Sequence, residues 1–205
     1  MPSDATIAAL HQVGIPVAFN FGADVDLKAL DRHLGYFMQG GTGLSDPAFY
    51  TRSDADILTV RARYRDYIKQ ILALTGTPAN RLEAEATAVL ALETALATPS
   101  QALAQINNPF NNYAPVAVDG LDRQYRNLRL GDFLKAQGVS AGQVSLAEPA
   151  VFTAVDALVK NRPVADWKAY LRWRVGDAMA PYLSRTYRQA EFEFRGRLLR
   201  GQTVA

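Results

Sequence analysis

Two long stretches of the chain carry apolar residues at helical spacing. From Ser53 onward, apolar side chains recur every three or four residues, which places them on one helix face: Ile57, Val60, Tyr64, Tyr67, Ile68 and Ile71. This pattern predicts a helix of about six turns that ends at Gly76. A second helix is predicted from about Asn80 to Ala97, and the short link between the two favours an antiparallel pair.

Shorter helices are predicted on both sides of this pair. Near the N-terminus, Ser3 is a candidate N-cap for a helix that ends at Gly14. Apolar stripes and proline start signals predict four helices in the last third of the chain. They are Leu130–Ala136, a helix that begins at Glu148–Pro149, one that begins at Pro163, and a last one over Ser184–Leu199 after a break at Pro181.

Strand-like alternation lies before the first long helix. Apolar side chains alternate with small or polar ones in Ile15–Phe21, and a second alternation covers Leu34–Met38. The polar stretch Gly22–Arg32 suits the connection of an antiparallel hairpin with a long loop. We expect this hairpin to be the only β-structure, and we expect Asn107–Val118, rich in proline and asparagine, to be a surface loop.

These patterns together predict a mainly α fold, a multi-helical domain with amphipathic antiparallel helices and one small β-hairpin near the N-terminus. We expect the hairpin at about residues 16–39 and helical structure over 46–200, in a single domain that spans 1–205. Composition agrees with this, because 49% of the 205 residues are hydrophobic. That is enough apolar material for one sizeable core.

Composition also excludes several functional classes. The absence of cysteine removes disulfide frameworks, thiolate nucleophiles and Cys-ligated zinc. The formal net charge of +2 gives no overall electrostatic reason to bind nucleic acid or an acidic membrane. No apolar run approaches the roughly 18–20 residues needed to cross a bilayer. Met1–Leu10 lacks the basic and apolar regions of a secretory signal.

The reactive side chains form no familiar catalytic motif. His11 and His33 are far apart in sequence, and neither lies in an H-E-x-x-H helix, so they do not predict a zinc site. The segment around Ser45 lacks the second glycine of a nucleophile elbow. Gly40–Gly43 is not followed by the Lys and Ser/Thr of a phosphate-binding loop. We therefore predict no catalytic residue and no metal ligand in this chain.

Carboxylates occur in two i,i+2 pairs. They are Glu83 with Glu85, and Glu191 with Glu193. Residues two apart point to different sides of a helix, so neither pair is expected to share one proton or one water molecule. We expect these four side chains to lie on solvated faces.

The strongest charge asymmetry lies near the C-terminus. Residues 162–200 contain nine Lys/Arg and four Asp/Glu, a local excess of five positive charges. Aromatic residues interleave with these bases, among them Trp167, Tyr170, Trp173, Tyr187, Phe192 and Phe194. A nucleic-acid surface is one interpretation. We favour packing, because amphipathic helices commonly alternate arginine with buried aromatic rings.

Five sequence blocks follow one another in a familiar order. The most diagnostic is LGYFMQGGTGLSDPAFY (Leu34–Tyr50), a strand that runs into Q-G-G-x-G-L and a later tyrosine. The others are PVAFNFGADVD (Pro16–Asp26), VLALETALA (Val89–Ala97), NPFNNYAPV (Asn108–Val116) and DWKAYLRWRV (Asp166–Val175). In this order the blocks resemble the amino-terminal, non-catalytic region of the neprilysin and endothelin-converting-enzyme family of zinc metalloendopeptidases, especially its bacterial members.

The resemblance marks a set of motif residues to which it gives a structural role. They are Gln39, Gly40, Gly41, Gly43, Leu44, Tyr50, Asn108, Pro109, Tyr113, Trp167, Tyr170 and Leu171. The chain departs from the family pattern at Thr42, Ser45, Phe49 and Ala114, where leucine, proline, tyrosine and asparagine are common. These departures do not touch the chemistry of the family.

The resemblance implies that the chain is the helical lid of a larger enzyme. In that family the helical region faces the catalytic domain across a chamber that admits peptides and excludes folded proteins. The H-E-x-x-H helix, the downstream zinc-binding glutamate, the Asn-Ala motif and the late histidine have no counterpart in these residues. We therefore expect the chain alone to be inactive and to need no cofactor, with zinc held by the full-length parent.

The implied partners are the missing catalytic domain and, in the parent, peptide substrates. The implied location is outside the cytoplasm, whether periplasmic, membrane-anchored or secreted. The alternative is a stand-alone helical binding or scaffold module that uses its basic C-terminal helices.

Overall fold

Helices make up most of the molecule. A computed structural model describes residues 4–204. Within that range the ten α-helices are α1 (Asp4–Gln12), α2 (Ala48–Thr51), α3 (Ala55–Leu74), α4 (Ala79–Ala97), α5 (Leu103–Ile106), α6 (Leu121–Gln124), α7 (Leu130–Ala136), α8 (Pro149–Asn161), α9 (Val164–Met179) and α10 (Arg185–Glu191). The prediction of a mainly α fold is confirmed. Ser3, the predicted N-cap of α1, lies outside the described residues.

The predicted hairpin is present, but its strands have other bounds. β1 (Asn20–Asp26) pairs antiparallel with β2 (Ala29–Met38). The expected long loop is therefore wrong, because most of Gly22–Arg32 belongs to the strands. Alternation misled the prediction at the start of β1, where Ala18 has a left-handed φ of +66° and cannot continue a strand.

The hairpin belongs to a larger sheet. β3 (Pro115–Ala117) and β4 (Gln143–Leu146) complete the order β1-β2-β4-β3. β4 runs parallel to β2 and antiparallel to β3. The expectation that the hairpin is the only β-structure is wrong, and so is the assignment of Asn107–Val118 to loop throughout. Strands this short give too few alternating positions for a period to be read.

Three helices form one part of the core. α4 packs against α3 and α9, and α9 also contacts α3. The aromatic residue Trp173 is fully buried between them. Gly176 lets α9 approach α3 closely, because a Cβ atom there would lie 2.5 Å from the Ile71 side chain. The predicted antiparallel helical pair is thus completed by a third helix.

The end of the chain departs from regular α-helix. A 3₁₀ turn over Ala180–Tyr182 marks the predicted break at Pro181. The predicted last helix then begins as α10 and continues as a π-helix over Phe192–Leu199. A π-helix widens the turn and rotates the side chains that follow it. This segment carries Arg195, whose contacts are described below.

Candidate functional site

The motif residues converge on one loop, Gln39–Pro47, which we call the glycine loop. It leaves the end of β2 and leads into α2. The side-chain amide of Gln39 makes two hydrogen bonds to the backbone of Gln101. Its NH₂ group donates to the Gln101 carbonyl at 3.0 Å, and its oxygen accepts from the Gln101 N–H at 2.7 Å. The Gln39 N–H donates to the Glu148 carboxylate at 2.7 Å. The first residue of the loop is thereby fixed from two sides.

Two glycines in this loop admit no side chain. Gly41 has a left-handed φ of +79°, and a Cβ atom there would lie 2.5 Å from the Ala18 backbone nitrogen. A Cβ atom on Gly43 would lie 2.0 Å from the Tyr64 hydroxyl. Tyr170 explains the close approach at Gly41: its hydroxyl donates to the Gly41 carbonyl at 2.5 Å and accepts from the Ala18 N–H at 2.9 Å.

A buried carboxylate lies under the glycine loop. Glu93 of α4 is fully buried. Its oxygens accept from the Tyr64 hydroxyl at 2.6 Å, the Tyr50 hydroxyl at 2.7 Å, the Trp173 ring N–H at 2.9 Å and the Gly43 N–H at 3.2 Å. Burial raises the pKa of Glu93 above its ordinary value, and the opposing charge of Arg174 and these hydrogen bonds only partly offset that effect.

The same hydrogen-bond network reaches the start of α2. Tyr50 both donates to Glu93 and accepts from the Leu44 N–H at 2.9 Å. Burial and then the Glu93 charge raise the pKa values of Tyr50 and Tyr64 well above the ordinary range. Both tyrosines therefore stay protonated and act as hydrogen-bond donors to the carboxylate.

An ion pair between Arg195 and Asp177 joins the π-helix to this region. Arg195 donates to both oxygens of Asp177, at 3.1 and 2.5 Å, and to the Gly43 carbonyl at 3.0 Å. The Tyr67 hydroxyl donates to Asp177 at 2.8 Å. Burial, followed by the Asp177 charge, raises the pKa of Tyr67. The glycine loop is therefore held by α3, α4, α9 and the π-helix together.

The remaining motif residues brace neighbouring segments. Asn108 accepts from the Phe110 N–H at 3.1 Å and so caps the 3₁₀ turn that begins with Pro109. The Tyr113 hydroxyl donates to Asp26 at 2.6 Å, and this bond is the main reason that the pKa of Asp26 is lowered. On α9, Trp167 is buried, and Leu171 packs at the edge of the core.

The two histidines lie in different settings. His11 packs beside Phe19 and Phe133, and burial lowers its pKa. Its Nε2 atom lies 3.1 Å from the Val17 carbonyl. His33 is an exposed residue of β2. Among residues 4–204 no three His, Asp or Glu side chains are grouped so as to hold a metal ion. The described residues therefore do not fit a zinc centre.

One of the carboxylate expectations is wrong. Glu85 is buried, although we expected a solvated face, and it accepts from the Thr77 hydroxyl at 2.8 Å and from Arg81 at 2.5 Å. Arg172 adds a contact at 3.4 Å. Glu83, the i,i+2 neighbour of Glu85, has a side chain that is 59% exposed. The carboxylates of Glu83 and Glu85 therefore do point to different sides of the helix.

The basic C-terminal segment is largely internally paired. Five of its nine basic side chains lie within 3.5 Å of a carboxylate: Arg162, Arg172, Arg195, Arg197 and Arg200. Trp167, Tyr170 and Trp173 are buried in the core. These three rings are inaccessible for base stacking, which favours packing over a nucleic-acid surface.

Sequence reasoning missed the charged residues of this network. Glu93, Asp177 and Arg195 were not singled out, and Arg174 and Arg195 were counted only as surface charge. A signal was available for Glu93, because it lies among the apolar positions Val89, Leu92 and Leu96 of α4. A charged residue inside an apolar helix stripe indicates a buried, paired group.

No helix among the described residues is long and apolar enough to cross a membrane. The glycine loop is a largely half-buried, hydrogen-bonded element, and the described residues offer no group of three His, Asp or Glu beside it that could hold a metal ion.

The chain is similar to known proteins over nearly its whole length. A family model described as Peptidase family M13 matches residues 3–205. The cryo-EM structure of the Mycobacterium tuberculosis zinc metalloprotease Zmp1 in an open state superposes with a TM-score of 0.88 at 27% identity, over 98% of this chain and 32% of that one. The inhibitor complex of Zmp1 gives 0.87 at 26% identity, over 96% and 30%.

A more distant structure shares the fold. PepO from Lactobacillus rhamnosis superposes with a TM-score of 0.81 at 19% identity, over 98% of this chain and 32% of that one. No curated protein sequence matches the chain. The chain thus spans about a third of the length of the solved structures that it matches.

Proposed function

The chain belongs to peptidase family M13, as the resemblance to the neprilysin family predicted, and from this premise we propose that it forms the helical wall of a peptide-digesting chamber. In this proposal the polypeptide continues into a catalytic domain that holds zinc. The chain itself supplies shape: it covers the active site, admits peptides and excludes folded proteins.

The observation that carries the proposal is the match to Zmp1. Almost the entire chain superposes on about a third of that zinc metalloprotease. The remaining two thirds of such an enzyme then supply the zinc ligands and the general base. When bound, zinc lowers the pKa of a water molecule and supplies the nucleophile for peptide hydrolysis.

The residues of this chain support a wall rather than a reactive site. The glycine loop is fixed by hydrogen bonds with Glu93 of α4, Tyr170 of α9 and Arg195 of the π-helix, and by the bonds between Gln39 and Gln101. A wall that selects substrates by size must keep its shape while substrates bind. A dense buried hydrogen-bond network supplies such rigidity.

Activity of the isolated chain tests the proposal that the chain supplies shape and that catalysis belongs to the rest of the polypeptide. Residues 1–205, supplied with Zn²⁺ and an internally quenched fluorogenic peptide, should show no cleavage above buffer. The full-length protein should cleave the same peptide, and a chelator should abolish that cleavage. Chelator-sensitive cleavage by residues 1–205 alone would contradict the proposal, as would a natural polypeptide without an H-E-x-x-H segment.

Size selection tests the chamber itself. The full-length protein should cleave a short peptide readily but should leave the same peptide intact when it is displayed in a loop of a stable folded protein. Equal rates on the free and the displayed peptide would show that the helical region does not restrict access.

We also propose that the full-length protein is exported. Cell fractionation tests this proposal.

The alternative, a stand-alone binding module, rests on the basic segment. It predicts that residues 1–205 bind single-stranded nucleic acid at low salt and release it as salt rises. The lid proposal predicts no such binding, since most of these arginines already have carboxylate partners.

A further inference from the structure

A pocket of about 320 Å³ opens between the glycine loop and the C-terminal end of α4. Gln39 and Gly41 line one side, and Ser100, just after α4, lines another. Arg174 of α9 is the one charged side chain among the residues that line it. Because the glycine loop is fixed by the hydrogen bonds described above, this pocket is formed before any ligand arrives.

Arg174 has hydrogen-bonding capacity that the described residues leave unused. Its side chain is 13% exposed, and its Nε atom is buried without a hydrogen-bond partner. Nη2 donates to the Pro16 carbonyl at a long 3.3 Å. Nη1 lies 4.0 Å from Asp177, which is too far for a hydrogen bond. Among the described residues, Nε and Nη1 therefore have no hydrogen-bond acceptor, and a guanidinium with five N–H groups can bind a further one.

The two carboxylates nearest to Arg174 are already bound by other groups. Glu93 accepts from four donors, none of which is Arg174. Asp177 binds Arg195 through both oxygens and also accepts from Tyr67. Neither carboxylate is therefore positioned to satisfy the free donors of Arg174, and no acidic side chain lines the pocket.

Part of the pocket lining is aliphatic, and we call this part the rim. Leu103 and Ile106 of α5 line it, together with Pro47. Leu103 is 37% exposed, so its side chain is available to contact a ligand. A lining that combines an arginine with aliphatic side chains suits a ligand that carries both an anionic oxygen pair and a branched alkyl group.

We propose that this pocket binds the α-carboxylate of a small aliphatic amino-acid residue, free or at the C-terminus of a peptide, with Arg174 as the anion-binding group. The site needs neither zinc nor a catalytic domain, so it goes beyond the proposed chamber function. A carboxylate bound here completes the hydrogen bonds of a guanidinium that the fold leaves half-satisfied.

A pair of ligands that differ only in charge tests the site. N-acetyl-leucine should raise the thermal unfolding temperature of the chain and shift the amide NMR signals of Gly40, Gly41 and Thr42. N-acetyl-leucinamide, which lacks the negative charge, should do neither. No response to N-acetyl-leucine, or equal responses to the two ligands, would overturn the proposal. Displacement of N-acetyl-leucine by equimolar inorganic phosphate would overturn the assignment to a carboxylate.

Matched variants locate the binding group. Arg174→Gln should weaken N-acetyl-leucine binding by about ten-fold or more, because a charge-assisted hydrogen bond is lost. Arg188→Gln, an exposed arginine of α10 outside the pocket, should bind as the parent chain does. Equal affinities of the two variants would refute the role of Arg174.

Arg174 is largely buried, so its replacement risks unfolding the chain. Leu103→Trp fills the rim from a partly exposed position and leaves the guanidinium intact. It should abolish binding with an unchanged unfolding temperature in the absence of ligand. Undiminished binding by a folded Leu103→Trp variant would place the ligand elsewhere and overturn the proposal.

Discussion

Replacement of Glu93 is the most direct test of how the glycine loop is held. In Glu93→Ala, the hydroxyls of Tyr50 and Tyr64 and the Trp173 ring N–H lose an acceptor that lies within 2.9 Å. Each such bond contributes about 1 kcal/mol net, and more when the acceptor is charged. The truncated side chain also leaves a cavity, which costs about 1 kcal/mol or more.

The sum is a loss of about 4 kcal/mol, from three hydrogen bonds at about 1 kcal/mol each and about 1 kcal/mol for the cavity. With a urea m-value of about 2 kcal/mol/M, the unfolding midpoint should fall by about 2 M. Equilibrium urea unfolding followed by tryptophan fluorescence measures this shift, because Trp173 donates to Glu93 itself.

Glu83→Ala is the matched control on the same helix. Glu83 is 59% exposed and pairs with Arg65 and Lys69, so its loss should cost less than about 1 kcal/mol. Glu93→Gln keeps one acceptor oxygen and should lie between the two, at a cost of about 2 kcal/mol. The reasoning is refuted if Glu93→Ala and Glu83→Ala shift the midpoint equally. If Glu93→Ala does not fold, Glu93→Gln against Glu83→Gln makes the same comparison.

Three further changes test other parts of the structure. Gly43→Ala should lower the free energy of unfolding by about 2–4 kcal/mol, because the added methyl group collides with a core tyrosine. In the control Gly142→Ala, the methyl group meets nothing within 4 Å, so the urea midpoint should change little. Equal midpoints of the two variants would contradict the close packing of the loop. Burial raises the folded-state pKa of Glu148, so its contribution to stability is greatest below the ordinary value of 4.5 and is lost as pH rises through the folded pKa. Glu148→Gln should therefore gain stability relative to the parent chain as the pH of urea unfolding rises above 4.5, and a pH-independent difference would argue against it. Tyr113→Phe should raise the pKa of Asp26 in an NMR titration, since the tyrosine hydroxyl is the main cause of its lowering; an unchanged pKa would contradict that assignment.

The helices and their order follow from local signals in the sequence. α3 was predicted because one face carries a continuous apolar stripe, and α8 and α9 because prolines mark their starts. These signals lie within a few residues of the structure that they specify. The family resemblance added the identity of the glycine loop, which periodicity alone describes only as a turn.

The sheet and the buried charges could not be predicted in the same way. β4 is four residues long and becomes a strand because β2 and β3 lie on either side of it. Its pairing with β2 joins residues more than a hundred positions apart, which no local pattern reports. Asp177 and Arg195 look like surface residues in sequence, and only the packing of α9 against the π-helix brings them together.

The partners of the glycine loop are spread over nearly the whole length of the polypeptide. β2 gains its parallel neighbour only after Ser145 has been synthesised. The glycine loop gains its bonds to Tyr170 and Arg195 later still. During synthesis, the glycine loop leaves the ribosome before these partner residues have been made. At that stage it has none of these contacts. We expect the N-terminal hairpin to remain dependent on chaperones, or to stay exposed to proteases, until the π-helix has emerged, so that truncation before Arg195 destroys far more than the last helix.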